Sequence, residues 1–180
     1  MTDDQAAAAR AQAETISREA FREACSAVER IAAKAGAQTV HDPAWPGAEL
    51  TLPRPDARTG IRAAARLELA ARLQLRDYIK HARQDGLGWH EIGALLDLGA
   101  EAADRGLTVA AAAFRFAAPQ PSSSGQAAAF PWTCRECGQL VSDRGPGHGH
   151  PEDDEPGHGG GCARLAAAVA ESAAARIQEG

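Results

Sequence analysis

Apolar residues recur at spacings of three and four through most of the first 118 positions, which is the period of a helix rather than of a strand. Ile16, Ala20, Ala24, Val28, Ile31 and Ala35 mark a helix over about 4–35, and Gly36 supplies a stop. Pro43, Pro46, Gly47, Pro53 and Pro55 then rule out regular helix, so residues 36–59 read as an extended connector anchored by Trp45. The clearest amphipathic pattern covers 60–84, where Ala64, Leu67, Ala71, Leu75, Tyr78 and Ala82 form one stripe. Arg62, Arg66, Arg76, Lys80 and Arg83 stand roughly opposite, also three and four apart. Gly86 and Gly88 close this helix. A short helix is expected from Trp89 to Leu96, an acidic glycine-bounded loop over 97–106, and a helix capped by Thr108 and running to about Ala117.

Gln120-Pro121-Ser122-Ser123-Ser124-Gly125 has the composition of a flexible linker. Residues 119–129 are therefore expected to join a helical module, 1–118, to a Cys/His module, 130–180. The last helix should run from about Cys162 to Gln178 with Leu165, Val169 and Ile177 facing inward.

Composition tempers the picture. Of 180 residues 44% are hydrophobic, but alanine dominates and aromatics make up only 4%. Thin cores between helices follow, with a metal helping where apolar surface runs short. Trp89, Phe114 and Phe116 fall at the apolar phase of their helices and are expected in the core, as is Cys25. His81 and His90 read as ordinary surface residues.

The net charge of −5 is spread unevenly. Residues 54–83 carry eight Arg/Lys against three acids, whereas 84–118 and 134–162 are acidic. A nucleic-acid surface would belong to the first of these stretches. The opening Met1-Thr2-Asp3-Asp4 lacks the order of a signal peptide, and no apolar run approaches bilayer length. A cytoplasmic location is expected, with no membrane partner. There thiols stay reduced, and clustered cysteines serve metals better than disulfides.

Three of the four cysteines and three of the six histidines lie between Cys134 and Cys162. Cys134-x2-Cys137 suits a knuckle in which both sulfurs reach one ion while the backbone turns, and Gly138 suits that turn. His158 and Cys162, four apart, share a face at the start of the last helix. A structural zinc ion held by Cys134, Cys137, His158 and Cys162 is the expectation, with His150 as alternative fourth ligand and His148 a further competitor. Acidic residues 152–155 are placed to hydrogen-bond a ligand histidine. Three thiolates make a poor Lewis acid, and there is no phosphate loop, nucleophile arrangement or carboxylate pair of an enzyme.

Trp89-His90-Glu91-Ile92-Gly93-Ala94-Leu95-Leu96, followed by Leu98 and Thr108-Val109, resembles a helix-turn-helix, with Gly93 where the helices cross. This is the DNA-binding part of sigma-factor-like and other small regulators. The turn is about six residues too long for the motif. The recognition helix would offer only Thr108 and Arg115 as polar side chains. The resemblance implies a mostly α fold, with a helix-turn-helix-like trihelical core over 60–117 joined to a small zinc-stabilised module that ends in a helix. Arg62, Arg66, Arg76, Lys80 and Arg83 would then hold phosphates, with Thr108 and Arg115 nearer the bases.

Phe130-Pro131-Trp132-Thr133-Cys134, Cys137-Gly138, Asp143-Arg144-Gly145-Pro146, His150-Pro151, Gly157-His158 and Cys162-Ala163-Arg164-Leu165 resemble a group of small proteins from streptomycetes and related actinobacteria. That resemblance spans roughly Ala63 to Val169 and implies a cytoplasmic actinobacterial protein, but lends no activity. Two functions fit the sequence. One is a non-enzymatic, DNA-associated regulator that binds duplex DNA through the helical module. The other is an adaptor whose acidic zinc module binds a protein partner while the helix-turn-helix is only structural. The N-terminal helix is open to pairing with a second copy, as a homodimer, or to folding back.

Overall fold

The computed structural model describes residues 3–118 and 128–178, so most of the expected linker lies outside the described residues. Among the described residues there are seven helices and two small sheets, and the structure is mostly helical, at 59%. It divides into two compact units, residues 1–73 and 74–180, and the division falls inside a helix rather than at the Ser/Gly-rich stretch.

The first unit starts with α1 (Asp3–Lys34) and continues through β1 (Thr39–Pro43) and β2 (Thr51–Pro55) into α2 (Ala57–Gln84). The proline-rich connector is thus a hairpin. Its strands run antiparallel with Thr39 opposite Pro55 and Pro43 opposite Thr51. A two-stranded ribbon leaves half of its backbone groups unpaired, so prolines fit where a central strand would reject them. Trp45 does not anchor this segment: it sits beside the turn at Gly47 (φ +84°) and is 62% exposed. Asp56 starts α2 by accepting the Thr59 N–H on Oδ1 and the Gln38 N–H on Oδ2. These backbone bonds, that of Thr59 foremost, hold its carboxyl below the usual range. Ala32 and Ala63 are the buried small residues here. Cys25, expected in a core, is exposed.

The second unit begins with the end of α2. Gly86 (φ +100°) ends that helix, and the Leu87 N–H reaches back to the Ala82 carbonyl at 3.0 Å. α3 (Trp89–Leu95), α4 (Gly99–Asp104) and α5 (Val109–Ala117) follow. α4 occupies much of the stretch expected as a loop, so no short turn joins α3 to α5. α3 and α5 meet at Gly93, where an added Cβ would lie 2.5 Å from Val109 Cγ1 and 2.8 Å from the Val109 carbonyl oxygen. Gly93→Ala should therefore cost about 1–3 kcal/mol by overpacking, read as a lowered denaturation midpoint. An unchanged midpoint would mean that the helices do not approach so closely.

Beyond the undescribed stretch come β3 (Phe130–Thr133), β4 (Leu140–Asp143), the single turn α6 (Pro151–Asp154) and α7 (Ala163–Gln178). β3 and β4 pair antiparallel, Phe130 opposite Asp143. Each strand alternates buried and exposed residues, which sends Phe130, Trp132, Val141 and Asp143 inward. Phe130, Trp132 and Val141 join Ile79, Trp89, Ile92, Ala113 and Phe114 in one core. Trp89 lies edge-on to Phe114 and Phe130, with centroids 5.3 and 5.5 Å away. The helices of 74–118 and the cysteine-bearing segment therefore share a core instead of forming separate modules. Phe116 and Ile177, both expected inward, are exposed.

Candidate metal centre

Cys134 directly follows β3, and the backbone then turns back on itself. The Gly138 N–H bonds the Cys134 carbonyl at 2.8 Å, and the Cys134 N–H bonds the Gln139 carbonyl at 2.9 Å. Gly138 holds φ at +69°, a conformation open to glycine and strained in most other residues. This knuckle aims Cys134 and Cys137 at one point. Cys162, one residue before α7, and His158, four residues earlier, arrive from the other side.

The four ligand atoms lie within 4.8 Å of one another. Cys134 Sγ is 3.8 Å from Cys162 Sγ, while His158 Nδ1 is 3.3 Å from Cys162 Sγ and 3.7 Å from Cys137 Sγ. A tetrahedral zinc ion with bonds of about 2.3 Å to sulfur and about 2.0 Å to nitrogen requires edges of about 3.8 Å and 3.5 Å respectively. These three separations lie close to those edges, so the cluster is geometrically compatible with a metal ion. The Gly159 N–H points at Cys137 Sγ at 3.4 Å. That bond, with help from Gln139 and His158, lowers the Cys137 thiol to about 6, whereas burial pushes Cys134 up.

His158 faces the sulfurs with Nδ1, which leaves Nε2 to bond Glu155 Oε2 at 3.1 Å. A carboxylate behind a ligand imidazole fixes its tautomer and makes it a better donor to the metal. Burial alone would raise the Glu155 carboxyl, but Arg83, His158 and Arg164 outweigh it and hold it low. Glu155→Gln should weaken zinc binding about 10–100-fold, measured by competition with a chromophoric chelator. Wild-type affinity in that variant would remove Glu155 from the account.

Glu155 also pairs with Arg83, near the end of α2. Arg83 is 3% exposed, and its Nε donates to Asp143 Oδ2 at 3.0 Å. Asp143, 1% exposed, further accepts from Trp89 Nε1 at 3.1 Å, Trp132 Nε1 at 3.2 Å and the Gly145 N–H at 2.9 Å. Burial pushes its carboxyl up against these donors. A chain of charge-assisted hydrogen bonds therefore runs from α2 through Arg83 and Glu155 to His158. Arg164 reinforces it, donating to the Arg83 carbonyl at 2.6 Å with its guanidinium 4.4 Å from the Trp132 ring centre.

The remaining site candidates are dispersed. His150 is not at the sulfurs: it caps α6, its Nδ1 accepting the Glu152 N–H at 3.3 Å. His148 turns instead to Asp154 Oδ1, 3.1 Å away. Arg83, expected on a phosphate-binding row, is buried in ion pairs. Arg76 is half-buried with Nε lacking a hydrogen-bond partner, and Lys80 is half-buried. Thr108 uses its hydroxyl to cap α5, accepting the Ala111 N–H at 3.1 Å. Arg62 and Arg66 are exposed in the first unit, and Arg115 is exposed in the second. Sequence reasoning missed Asp143 and the inward role of Arg83. The available signal was phase, since Arg83 lies one helical turn from the buried Ile79.

No known protein family, characterised protein or solved structure matches the chain. Among the described residues no helix is long and apolar enough to cross a membrane.

Proposed function

We propose that this is a non-enzymatic zinc-binding protein whose metal site is structural, and that its second unit acts as a protein-interaction adaptor. One observation carries the reading: α5, the helix that would have to read DNA, is used for packing. Ala112, Ala113, Phe114 and Ala117 are buried, and the backbone of Gly145 lies against the Phe114 ring, where an added Cβ would come within 2.5 Å. Four protein ligands close the metal tetrahedron, so no position is left for a substrate or an activated water. The acidic Glu152 and Asp153, both exposed, suit a basic protein partner better than phosphate. The resemblance to actinobacterial proteins that carry this Cys/His segment belongs to the same proposal.

Cobalt substitution tests the structural assignment. A closed tetrahedral site gives intense visible bands and thiolate charge-transfer bands that added cyanide or azide leaves unchanged. Bands that shift with those ligands would reveal an open position and return an enzyme to consideration. For the adaptor role, a protein retained by the zinc-loaded chain should rebind in pure form with fixed stoichiometry and be released by Glu152→Lys/Asp153→Lys. Retention by that variant would count against the acidic turn as the docking face.

A DNA-associated regulator is the second reading, and a different observation favours it. Arg62 and Arg66 are exposed, and among the described residues neither makes an ion pair with an acidic side chain.

A further inference from the structure

We infer that Arg58, Arg62 and Arg66 form a contact for the phosphate backbone of duplex DNA. The inference rests on the DNA-associated reading and adds where the contact lies and how many phosphates it covers. The three arginines occupy successive turns of α2, four residues apart, and all are exposed. At 1.5 Å per residue the row from Arg58 to Arg66 is about 12 Å long. A DNA strand carries one phosphate per roughly 3.4 Å of helix axis, so a row of that length faces about three.

Among the described residues no ion pair engages these arginines, although acids outnumber bases in the chain, 24 to 19. Asp56, the nearest acid in sequence, has its oxygens on the N–H groups of Gln38 and Thr59. Glu68 is taken by Arg72, and Asp42 by Arg54. On α1, Glu29 lines a neighbouring cavity beside Arg54. Arg62 and Arg66 instead border a cavity of about 240 Å³, which Thr59, Ala63, Ile31 and Ala35 complete. Thr59 brings a hydroxyl to its lining, and no acidic side chain lines it. Planar guanidinium forks match phosphate oxygens two at a time, which an ammonium does not. The chain thus presents a short cationic row in its first unit.

Salt dependence tests this with the full-length, zinc-loaded protein and a fluorescent random-sequence duplex. Three phosphate contacts give a slope of log K against log[salt] of about −2.7, or roughly 40-fold weaker binding between about 50 and 200 mM salt. Each of Arg58→Gln, Arg62→Gln and Arg66→Gln should flatten the slope by about one, and the triple variant should lose salt-dependent binding. Arg105→Gln, in the other unit and paired with Glu101, should leave the slope unchanged. Circular dichroism of the triple variant checks that the exposed substitutions leave the fold intact. If wild type binds and the triple variant keeps its slope, this contact is wrong while the DNA reading stands. If wild type binds no duplex at low salt, both fall. Equal or tighter binding to a single strand overturns the duplex as ligand.

Discussion

Stripping the metal should unfold the cysteine-bearing segment and loosen the core it shares with α3 and α5. Residues 144–162 contain Gly145, Pro146, Gly147, Gly149, Pro151, Pro156, Gly157, Gly159, Gly160 and Gly161 against a single short helical turn. Such a segment loses much chain entropy on folding and recovers little from apolar burial. A structural zinc ion contributes on the order of 10 kcal/mol in small modules, comparable with the whole stability of a typical domain. Chelation, or Cys162→Ser, should therefore abolish the cooperative transition of the second unit and its near-ultraviolet tryptophan signal, because Trp132 lies edge-on to His158 and Trp89 belongs to the same buried core. The transition and the signal should return on adding zinc back to the wild type but not to the variant. A chelated protein with an unchanged near-ultraviolet spectrum would show that the core holds the segment by itself.

The second large effect concerns Arg83. Removing one partner from a buried ion pair strands the other charge, at a cost of about 3–5 kcal/mol. Arg83→Met leaves Asp143 and Glu155 without their shared guanidinium, and Glu155 then has only His158 and Arg164. Chemical denaturation of zinc-loaded protein should register most of that loss. Arg83→Met/Asp143→Asn, which removes that pair of charges while leaving an amide oxygen to accept from Trp89 and Trp132, should recover part of it. A phosphate-binding Arg83 would behave in the opposite way, with stability kept and DNA affinity lowered. Stability within about 0.5 kcal/mol of wild type would contradict the buried network, since that is the range of an ordinary surface substitution.

These expectations also mark how far the chain could be read before its structure. The metal cluster was legible because ligand chemistry is local: Cys134-x2-Cys137 and His158-x3-Cys162 each act over one turn of backbone. The long helices were legible because their apolar spacing repeats over many turns. β3 and β4 were not, since four residues give alternation no room to stand out. The hairpin of β1 and β2 was hidden by prolines that a two-stranded ribbon tolerates. Arg83 misled because charge pattern alone cannot distinguish a solvated row from a residue buried against partners 60 and 72 positions away. His150 lost to His158 for a reason spacing could only suggest. His158 is held between Cys162 and the Glu155 carboxylate, while His150 is engaged in capping α6. Cys25 and Phe116 follow the apolar periodicity of their helices yet lie at the surface, because no element covers those faces among the described residues.

X-ray absorption at the zinc edge of the purified, loaded protein addresses the ligand set itself. Three sulfurs at about 2.3 Å and one imidazole nitrogen at about 2.0 Å, at one zinc per chain, are expected. A shell dominated by oxygen or nitrogen, or native protein with no stoichiometric zinc, would contradict the assignment to Cys134, Cys137, His158 and Cys162.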